Sequence, residues 1–367
     1  MGHKRQSVAL PQSPMPRWVL ALLRWFNTHR RAMPWRDAPS PYAVWISEMM
    51  LQQTQVETVI PYFDRFIARF PDVATLAEAD QDAVLKLWEG LGYYSRARSL
   101  HRAAQAIVEQ HNGLVPDRYE TLLDLPGIGP YTAAAIASIA FDQATPSVDG
   151  NVLRVVSRFR GMRVDIKAPG VADDIRTYLS KRIPRSSPGD FNQALMELGA
   201  LVCRPKNALC DQCPLRPSCK AAQQNAVSEI PLKVPRAKVP HVDVLALVVL
   251  HRGRYLLVKR KESKMLGGLW EFPGGKREPG ETLAAAAART CREASGVTVV
   301  PVKKLGMLKH AYSHFKITLH VFEASRTGGR IRGGGDYSSS EWVQPHALAQ
   351  RAMPITARRV VNRWLTE

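Results

Sequence analysis

The hydrophobic period of this chain changes once along its length, and that change divides it into two kinds of fold. From residue 17 to about 220, apolar residues recur at the three- and four-residue spacing of one helix face, in runs such as RWVLALLRWF, DAVLKLWEGL, SRARSLHRAAQAIVEQ, PYTAAAIASIAF, GNVLRVVSRF and FNQALMELGALV. The stretch SPYAVWISEMMLQQTQVETVIPYFDRFIARF carries the same spacing and is read as helix. Around Pro231, Pro235 and Pro240, set among Lys and Arg, the pattern lapses, and beyond them the period is two. There VLALVVLHRGRYLLVKR reads as a hairpin, and Phe315, Ile317, Leu319 and Val321 alternate with polar residues. Between these strands lies one helix, ETLAAAAARTCREASG, closed by Gly296. The pattern predicts a multidomain chain without internal repeats: a disordered tail at 1–16, an all-α domain at 17–220, a linker at 221–240 and a smaller α+β domain at 241–367.

A chain of 367 residues that is 45% hydrophobic has enough core for two or three domains. Its net charge of +19, from 51 Lys and Arg against 32 Asp and Glu, favours a polyanionic partner, nucleic acid first and an anionic membrane surface second. No apolar run of about 18 residues occurs, and MGHKRQSVALPQSPMP lacks the apolar core of a signal peptide, so a soluble intracellular protein is expected. In that reducing setting, four of the five cysteines lying between Cys203 and Cys219 argue for a metal or cluster site over a disulfide framework. Cys203, Cys210, Cys213 and Cys219 can hold a [4Fe–4S] cluster or a tetrahedral zinc. Zinc sites more often use two C-x2-C pairs and this loop has one, so the cluster is preferred. Cys291 reads as a buried small hydrophobe.

Three further stretches carry chemistry. In LPGIGPYTAAAI the glycines Gly127 and Gly129 make a tight reversal and Pro130 takes the first helical position, a helix-hairpin-helix whose backbone N–H groups and helix dipole suit one phosphate. An ordinary αα-hairpin is the plain alternative, whereas a P-loop would need another spacing and a Lys. In SVDGNVLRV, Asp149 stands just ahead of a helix with Asn151 beside it, a position that suits a helix cap as well as catalysis. Glu48, in WISEMMLQQTQV, shares a helical face with Val44 and Leu51; a carboxyl there would be desolvated and its pKa raised, as a general acid requires, unless it is a surface residue of an amphipathic helix.

In order and spacing, EMMLQQTQVETVIPYF, EGLGYYSRARSLH, LPGIGPYTAAAI, VDGNVLRV and the cysteine loop resemble the helix-hairpin-helix DNA glycosylases that carry an iron–sulfur cluster, and within them the adenine DNA glycosylases. The resemblance runs from about Arg17 to the C-terminus. It implies that the chain binds duplex DNA holding adenine opposite 8-oxoguanine or guanine, flips the adenine out and hydrolyses its glycosidic bond. By the same resemblance Glu48 protonates the adenine, Asp149 stabilises the cationic sugar, and Tyr131 and Asn151 orient the pair. Gln53 and Tyr93 match residues that wedge into the duplex, though they could be plain surface residues, and Arg36 and Gln193 match positions around the adenine pocket. The related endonuclease III cuts the strand through a lysine that stands where this chain has Tyr131. No lysine occurs from Val115 to Gly161, so a monofunctional enzyme is expected.

GGKREPGETLAAAAARTCREASGV resembles the Nudix box, with Gly275, Glu281, Arg289, Glu293, Gly296 and Val297 in agreement and Thr290 and Ala294 replacing two of its three clustered glutamates. One remaining carboxylate is too little charge to hold Mg²⁺ on a diphosphate, so the Nudix-like fold is expected without its hydrolase activity. The tetrapeptide AYSH, between two strand patterns, is expected at a hairpin tip. By resemblance Tyr312, Ser313 and His314 meet the base opposite the adenine, Tyr312 stacking or wedging beside it and needing a polar partner for its hydroxyl. The family implies a monomer that does not bind membranes and works in the cytoplasm, on the nucleoid of a bacterium. Rival readings are a bifunctional glycosylase/lyase of the endonuclease III type, a Nudix pyrophosphatase with an accessory DNA-binding domain, and a noncatalytic DNA-binding module.

Overall fold

The computed structural model describes residues 15–37, 39–232, 234 and 239–365. Most of the tail expected at 1–16 lies outside them, while Met15 packs against a core cluster and Pro16 caps the first helix. The chain divides into two compact units, one of residues 1–48 with 115–235 and the other of residues 49–114 with 236–367. The helical half foreseen as one domain is thus shared between them.

The first unit is helical. The helices Arg17–His29, Gly150–Arg160, Val171–Ser180 and Pro188–Leu201 enclose a core of Leu22, Phe26, Val152, Ile175, Phe191 and Leu198. The alanine-rich helix Pro130–Phe141 is buried along Thr132–Ser138, which its small side chains permit by letting neighbours approach closely. One such approach is Gly189, where a Cβ would lie 2.7 Å from the Ser138 carbonyl oxygen. Residues 221–232, expected as linker, are packed instead. Ala221, Ala226 and Ile230 form a small cluster, the Arg158 guanidinium bonds the Ile230 carbonyl at 2.8 Å, and Leu232 donates to Val164.

In the second unit the helices Val56–Arg69, Val73–Ala77, Gln81–Leu87 and Tyr94–His111 accompany a mixed sheet of seven strands. These are β1 (His241–His251), β2 (Arg254–Arg260), β3 (Trp270–Glu271), β4 (Gly274–Lys276), β5 (Val297–Ala311), β6 (Lys316–Gly329) and β7 (Tyr337–Val343). The hairpin β1–β2 forms, β1 runs parallel to β6, and β6 pairs with β5 in a long antiparallel ladder ending at Ala311 and Lys316. On β1, Leu245, Leu247 and Val249 face the helix Leu283–Ser295, while Ala246 and Val248 join a core with Val360 and Val361 of the helix Ile355–Trp364. Burial on both faces is why this strand is apolar without alternation. At Gly274 a Cβ would stand 1.9 Å from the Leu245 carbonyl oxygen, so only glycine lets β4 pair with β1.

One expected helix is broken. The stretch from Pro41 to Arg69 forms two helices, Pro41–Leu51 and Val56–Arg69, because Gln53 adopts a left-handed φ of 57°. The open carbonyls are taken by the buried Arg96, whose guanidinium donates to Met49, Met50 and Gln52 at 2.8, 3.0 and 2.6 Å. Among the described residues no helix is long and apolar enough to cross a membrane.

Candidate active site

Glu48, near the end of its helix, is 5% exposed, and burial drives its carboxyl pKa from the ordinary 4.5 to about 7. The Tyr131 hydroxyl donates to its Oε2 at 2.5 Å. The negative charge of Asp149 is a further, smaller cause of the upward shift, so the two carboxylates face one electrostatic environment. Tyr131 interacts with both. It reaches them because Gly129 caps the helix Pro130–Phe141 and Tyr131 sits in its first turn.

Asp149 is both a cap and a member of this group. One carboxylate oxygen accepts the Val152 N–H at 2.7 Å, which caps the helix Gly150–Arg160, and the other accepts the Asn151 amide at 2.8 Å. Burial raises its pKa, against the pull of those two donors and the Arg154 charge. The segment before it is pinned by Asn192, which accepts from the Ser147 N–H at 3.0 Å and donates to the Thr145 carbonyl at 2.9 Å. Asn151 Oδ1 receives Arg154 at 2.7 Å, and the same guanidinium donates to the carbonyls of Gly199 and Cys203, both at 2.8 Å. The Asp149 carboxylate is therefore linked by hydrogen bonds to the start of the cysteine loop.

Arg36 donates to Gln193 at 2.8 Å and to the Arg31 carbonyl at 3.0 Å. One turn beyond Gln193, the buried Glu197 takes Arg31 through Nε at 2.9 Å and Nη2 at 3.1 Å, with Arg36 at 3.4 Å. Burial alone would raise the Glu197 pKa, but the two guanidiniums overcome it and hold it below the usual range. Glu197, Asn192, Arg154 and Arg96 were not foreseen. The four-residue spacing of Gln193 and Glu197 on one helix was a usable signal; the others need the fold.

Gly127, at φ 77°, turns the hairpin between the helices Tyr119–Leu123 and Pro130–Phe141, and no side chain caps the first turn of the second helix. In the other unit Gln53 and Tyr93 are both exposed, both left-handed, and both tied to Arg96: its guanidinium lies 5.3 Å from the Tyr93 ring centre and bonds the Gln52 carbonyl. At the β5–β6 tip Ser313 and His314 are exposed, and Ser313 Oγ lies 2.7 Å from the Tyr93 hydroxyl. The Tyr312 hydroxyl has the polar partner it was expected to need. The Tyr312 ring is half-buried against Phe315 and His310, at 5.0 and 4.5 Å between centres, and its hydroxyl is within reach of Thr356, so it anchors the base of the tip. An apolar ring backed by a core cluster is more favourably buried than extended into water.

Cys203, Cys210, Cys213 and Cys219 line one small cavity with Val155, Leu198, Val202 and Leu215, and all four are free thiols. Arg158 donates to Cys203 Sγ at 3.4 Å, and burial pushes the Cys213 thiol up to about 12. A thiolate there needs positive charge at its sulfur, which a bound metal group supplies. Among the described residues no group of three or more His, Cys, Asp or Glu is placed to hold a metal ion. Arg204 and Lys206, between the first two cysteines, are exposed.

Around Arg289 the remaining Nudix-box carboxylates are tied up. Glu281 receives Nε and Nη2 at 2.8 and 2.7 Å, which holds its pKa at about 2, and Glu293 receives Nη1 at 3.0 Å. Thr290 is buried and bonds the Ala286 carbonyl at 2.7 Å.

Comparison with known proteins places these features in context. Residues 46–181 match the family of HhH-GPD superfamily base excision DNA repair proteins, and residues 244–363 match the NUDIX domain. Adenine DNA glycosylase of Rattus norvegicus is 37% identical over 84% of this chain and 70% of its own length. The Homo sapiens enzyme of that name is 37% identical over 84% and 67%, and that of Buchnera aphidicola subsp. Baizongia pistaciae 35% over 82% and 83%. Among solved structures, a thermostable thymine-DNA glycosylase covers 56% of this chain at 28% identity with a TM-score of 0.52. A trapped endonuclease III–DNA covalent intermediate covers the same share at 20% identity and 0.50, a likeness of fold alone.

Proposed function

The chain belongs to the adenine DNA glycosylases, and on that premise we propose that it removes adenine standing opposite 8-oxoguanine or guanine in duplex DNA, by hydrolysis and without cutting the strand. The observation that carries the reading is the Glu48 carboxyl, buried, bonded by Tyr131 and poised at about 7 beside Asp149. Adenine leaves poorly as an anion, so the base must be protonated while the sugar acquires cationic character. Glu48, half-protonated near neutrality, gives its proton to the flipped base, with Tyr131 holding the carboxyl in place. Asp149, whose oxygens are fixed by Val152 and Asn151, supplies negative charge to the sugar. Arg36 and Gln193 border the base pocket, and Gly127 and Gly129 turn the hairpin toward a phosphate.

The residue in the hairpin that would have to form an imine with the sugar is a phenol, which supports the monofunctional reading. The cysteine loop is read as holding a [4Fe–4S] cluster, which when bound cross-links residues 203–219 and presents Arg204 and Lys206 to DNA phosphates. Gln53 and Tyr93 enter the duplex, and Ser313 and His314 read the opposite base, Ser313 both donating and accepting toward N7–H and O8 of 8-oxoguanine. The protein acts as a monomer in the cytoplasm. Single-turnover assays on duplexes with adenine opposite 8-oxoguanine, guanine and thymine test the reading. Release fastest opposite 8-oxoguanine, with the strand intact before alkali, supports it; equal release opposite thymine, or strand scission by the protein alone, overturns it.

A further inference from the structure

A closed ring of contacts in the second unit joins Tyr93, which the proposed function places in the duplex, and Ser313, which it assigns to the opposite base, with Glu89, which it leaves unused. Glu89 lies in the turn Trp88-Glu89-Gly90-Leu91-Gly92, four residues ahead of Tyr93, and its side chain is 11% exposed. Its Oε1 accepts Arg358 Nε at 2.5 Å, and its Oε2 accepts Arg358 Nη2 at 3.1 Å, Lys86 at 3.0 Å and the Met353 N–H at 3.2 Å. Burial by itself would raise the pKa of Glu89, yet Arg358 and Lys86 hold it below the usual range, so the carboxylate stays charged. Arg358 stands in the first turn of the helix Ile355–Trp364 and bonds the Leu348 and Arg351 carbonyls at 2.9 and 2.6 Å, which spans that helix to the segment before it.

Two residues back on the same helix, Thr356 meets the Tyr312 hydroxyl, and next to Tyr312 is Ser313, whose hydroxyl meets that of Tyr93 at 2.7 Å. The path returns to the turn it started from. The Gly90 N–H also donates to the Tyr94 hydroxyl at 3.1 Å, and the Tyr62 hydroxyl donates to the Glu89 carbonyl at 2.9 Å, so the turn is held by two phenols.

We propose that the Glu89–Arg358 pair is a positioning clasp for opposite-base discrimination, holding the helix Ile355–Trp364 so that, through Thr356 and Tyr312, Ser313 is set against Tyr93. The proposal rests on the reading of Ser313 as a contact to the opposite base. A bidentate, nearly buried carboxylate–guanidinium pair fixes both distance and orientation, which a single exposed ion pair does not. Without it the tip remains a hairpin, but the register of its serine against the tyrosine is no longer imposed. Glu89 touches neither the adenine pocket residues nor the tip, so its loss should leave base release from an A·G duplex near the wild-type rate.

The test is the ratio of single-turnover rates, and of dissociation constants, for A·8-oxoguanine over A·G duplexes, in the full chain. Glu89→Gln should lower the ratio about threefold to tenfold, the weight of one hydrogen bond, with the A·G rate within about twofold of wild type. In a Ser313→Ala background Glu89→Gln should lower it no further. Thr356→Val breaks the same path with the ion pair intact and should reproduce the loss, which keeps the test decisive if thermal melting shows Glu89→Gln to be unfolded. An unchanged ratio in Glu89→Gln or Thr356→Val, an equal fall on both duplexes, or effects that multiply with Ser313→Ala overturn the clasp. A wild-type protein with no preference overturns the reading of Ser313 and the clasp with it, whereas a wild-type preference that survives Glu89→Gln overturns the clasp alone.

Discussion

Two acidic pairs of this chain sit in opposite environments. Glu48 is buried and Asp149 half-buried, the two are bonded by a phenol, an amide and a backbone N–H, and desolvation raises both pKa values. Glu281 and Glu293 surround Arg289 at the surface of the C-terminal region, and the guanidinium holds Glu281 at about 2. Glu48 can therefore exchange a proton near neutrality, whereas Glu281 cannot. Glu197 shows that burial alone does not make the difference: it is 3% exposed, yet Arg31 and Arg36 keep it ionised. A carboxylate is available for acid catalysis where burial is left uncompensated by cations.

The sharpest way to break this contrast is Glu48→Gln. Base release should fall by about 10²- to 10⁴-fold, the usual weight of a general acid, while DNA affinity is retained. In the wild type the rate should decline as pH rises through about 7, where Glu48 loses its proton. The linkage has a defined sign. A folded-state pKa raised from 4.5 to about 7 gives stability that is fully present below 4.5 and lost as pH rises through 7. Glu48→Gln should therefore be more stable than wild type at pH 8 by on the order of 3 kcal/mol, with the gap narrowing toward pH 5 in thermal melts. Undiminished release, or a variant less stable at pH 8, would remove Glu48 from the role assigned to it.

A smaller effect is expected at the β5–β6 tip, where exchange of both Ser313 and His314 for Ala should reduce the preference for A·8-oxoguanine over A·G by on the order of 1–3 kcal/mol per lost base contact. Competition binding with the two duplexes measures it, and undiminished discrimination would mean that the oxidised base is sensed elsewhere. At the cysteine loop, Lys206→Ala should weaken binding to all duplexes alike and lower the salt-dependence slope by about one, as loss of one phosphate contact does. A loss confined to one sequence, or an unchanged slope, would count against that contact. The smallest expected effect is none. Incubation with nucleoside triphosphates and Mg²⁺ should release no diphosphate, and Glu281→Gln should leave adenine release unchanged; measurable hydrolysis would show that the Arg289-bound pair is chemically competent after all.

Local features of the fold were legible because they follow from short-range physics. The spacing of apolar residues marked the helices of the first half, and the period of two in Phe315, Ile317, Leu319 and Val321 marked β6. The break at Gln53 was not legible, because the residue that accommodates its left-handed turn is Arg96, more than forty positions on. Packing of 221–232 was hidden by Pro231 and the prolines that follow the segment, since the partners that order it are Arg158 and Val164. Which groups stand behind Tyr312 was not legible, because nothing local to the tip shows Thr356.

What the sequence by itself determined is which chemical groups exist and in what order: a carboxyl in an apolar helix, a phenol just after the glycine hairpin, four thiols in seventeen residues, and a Nudix box short of carboxylates. Tertiary structure decided which carboxyls are neutralised and which are left poised, and it drew 49–114 into one unit with the C-terminal region through contacts such as Glu89–Arg358 and Asp82–Lys259. The reason is one of range. Backbone periodicity and caps are settled by neighbours a few residues away, whereas pKa values and docking depend on burial and on charges brought within a few ångströms only by the folded chain.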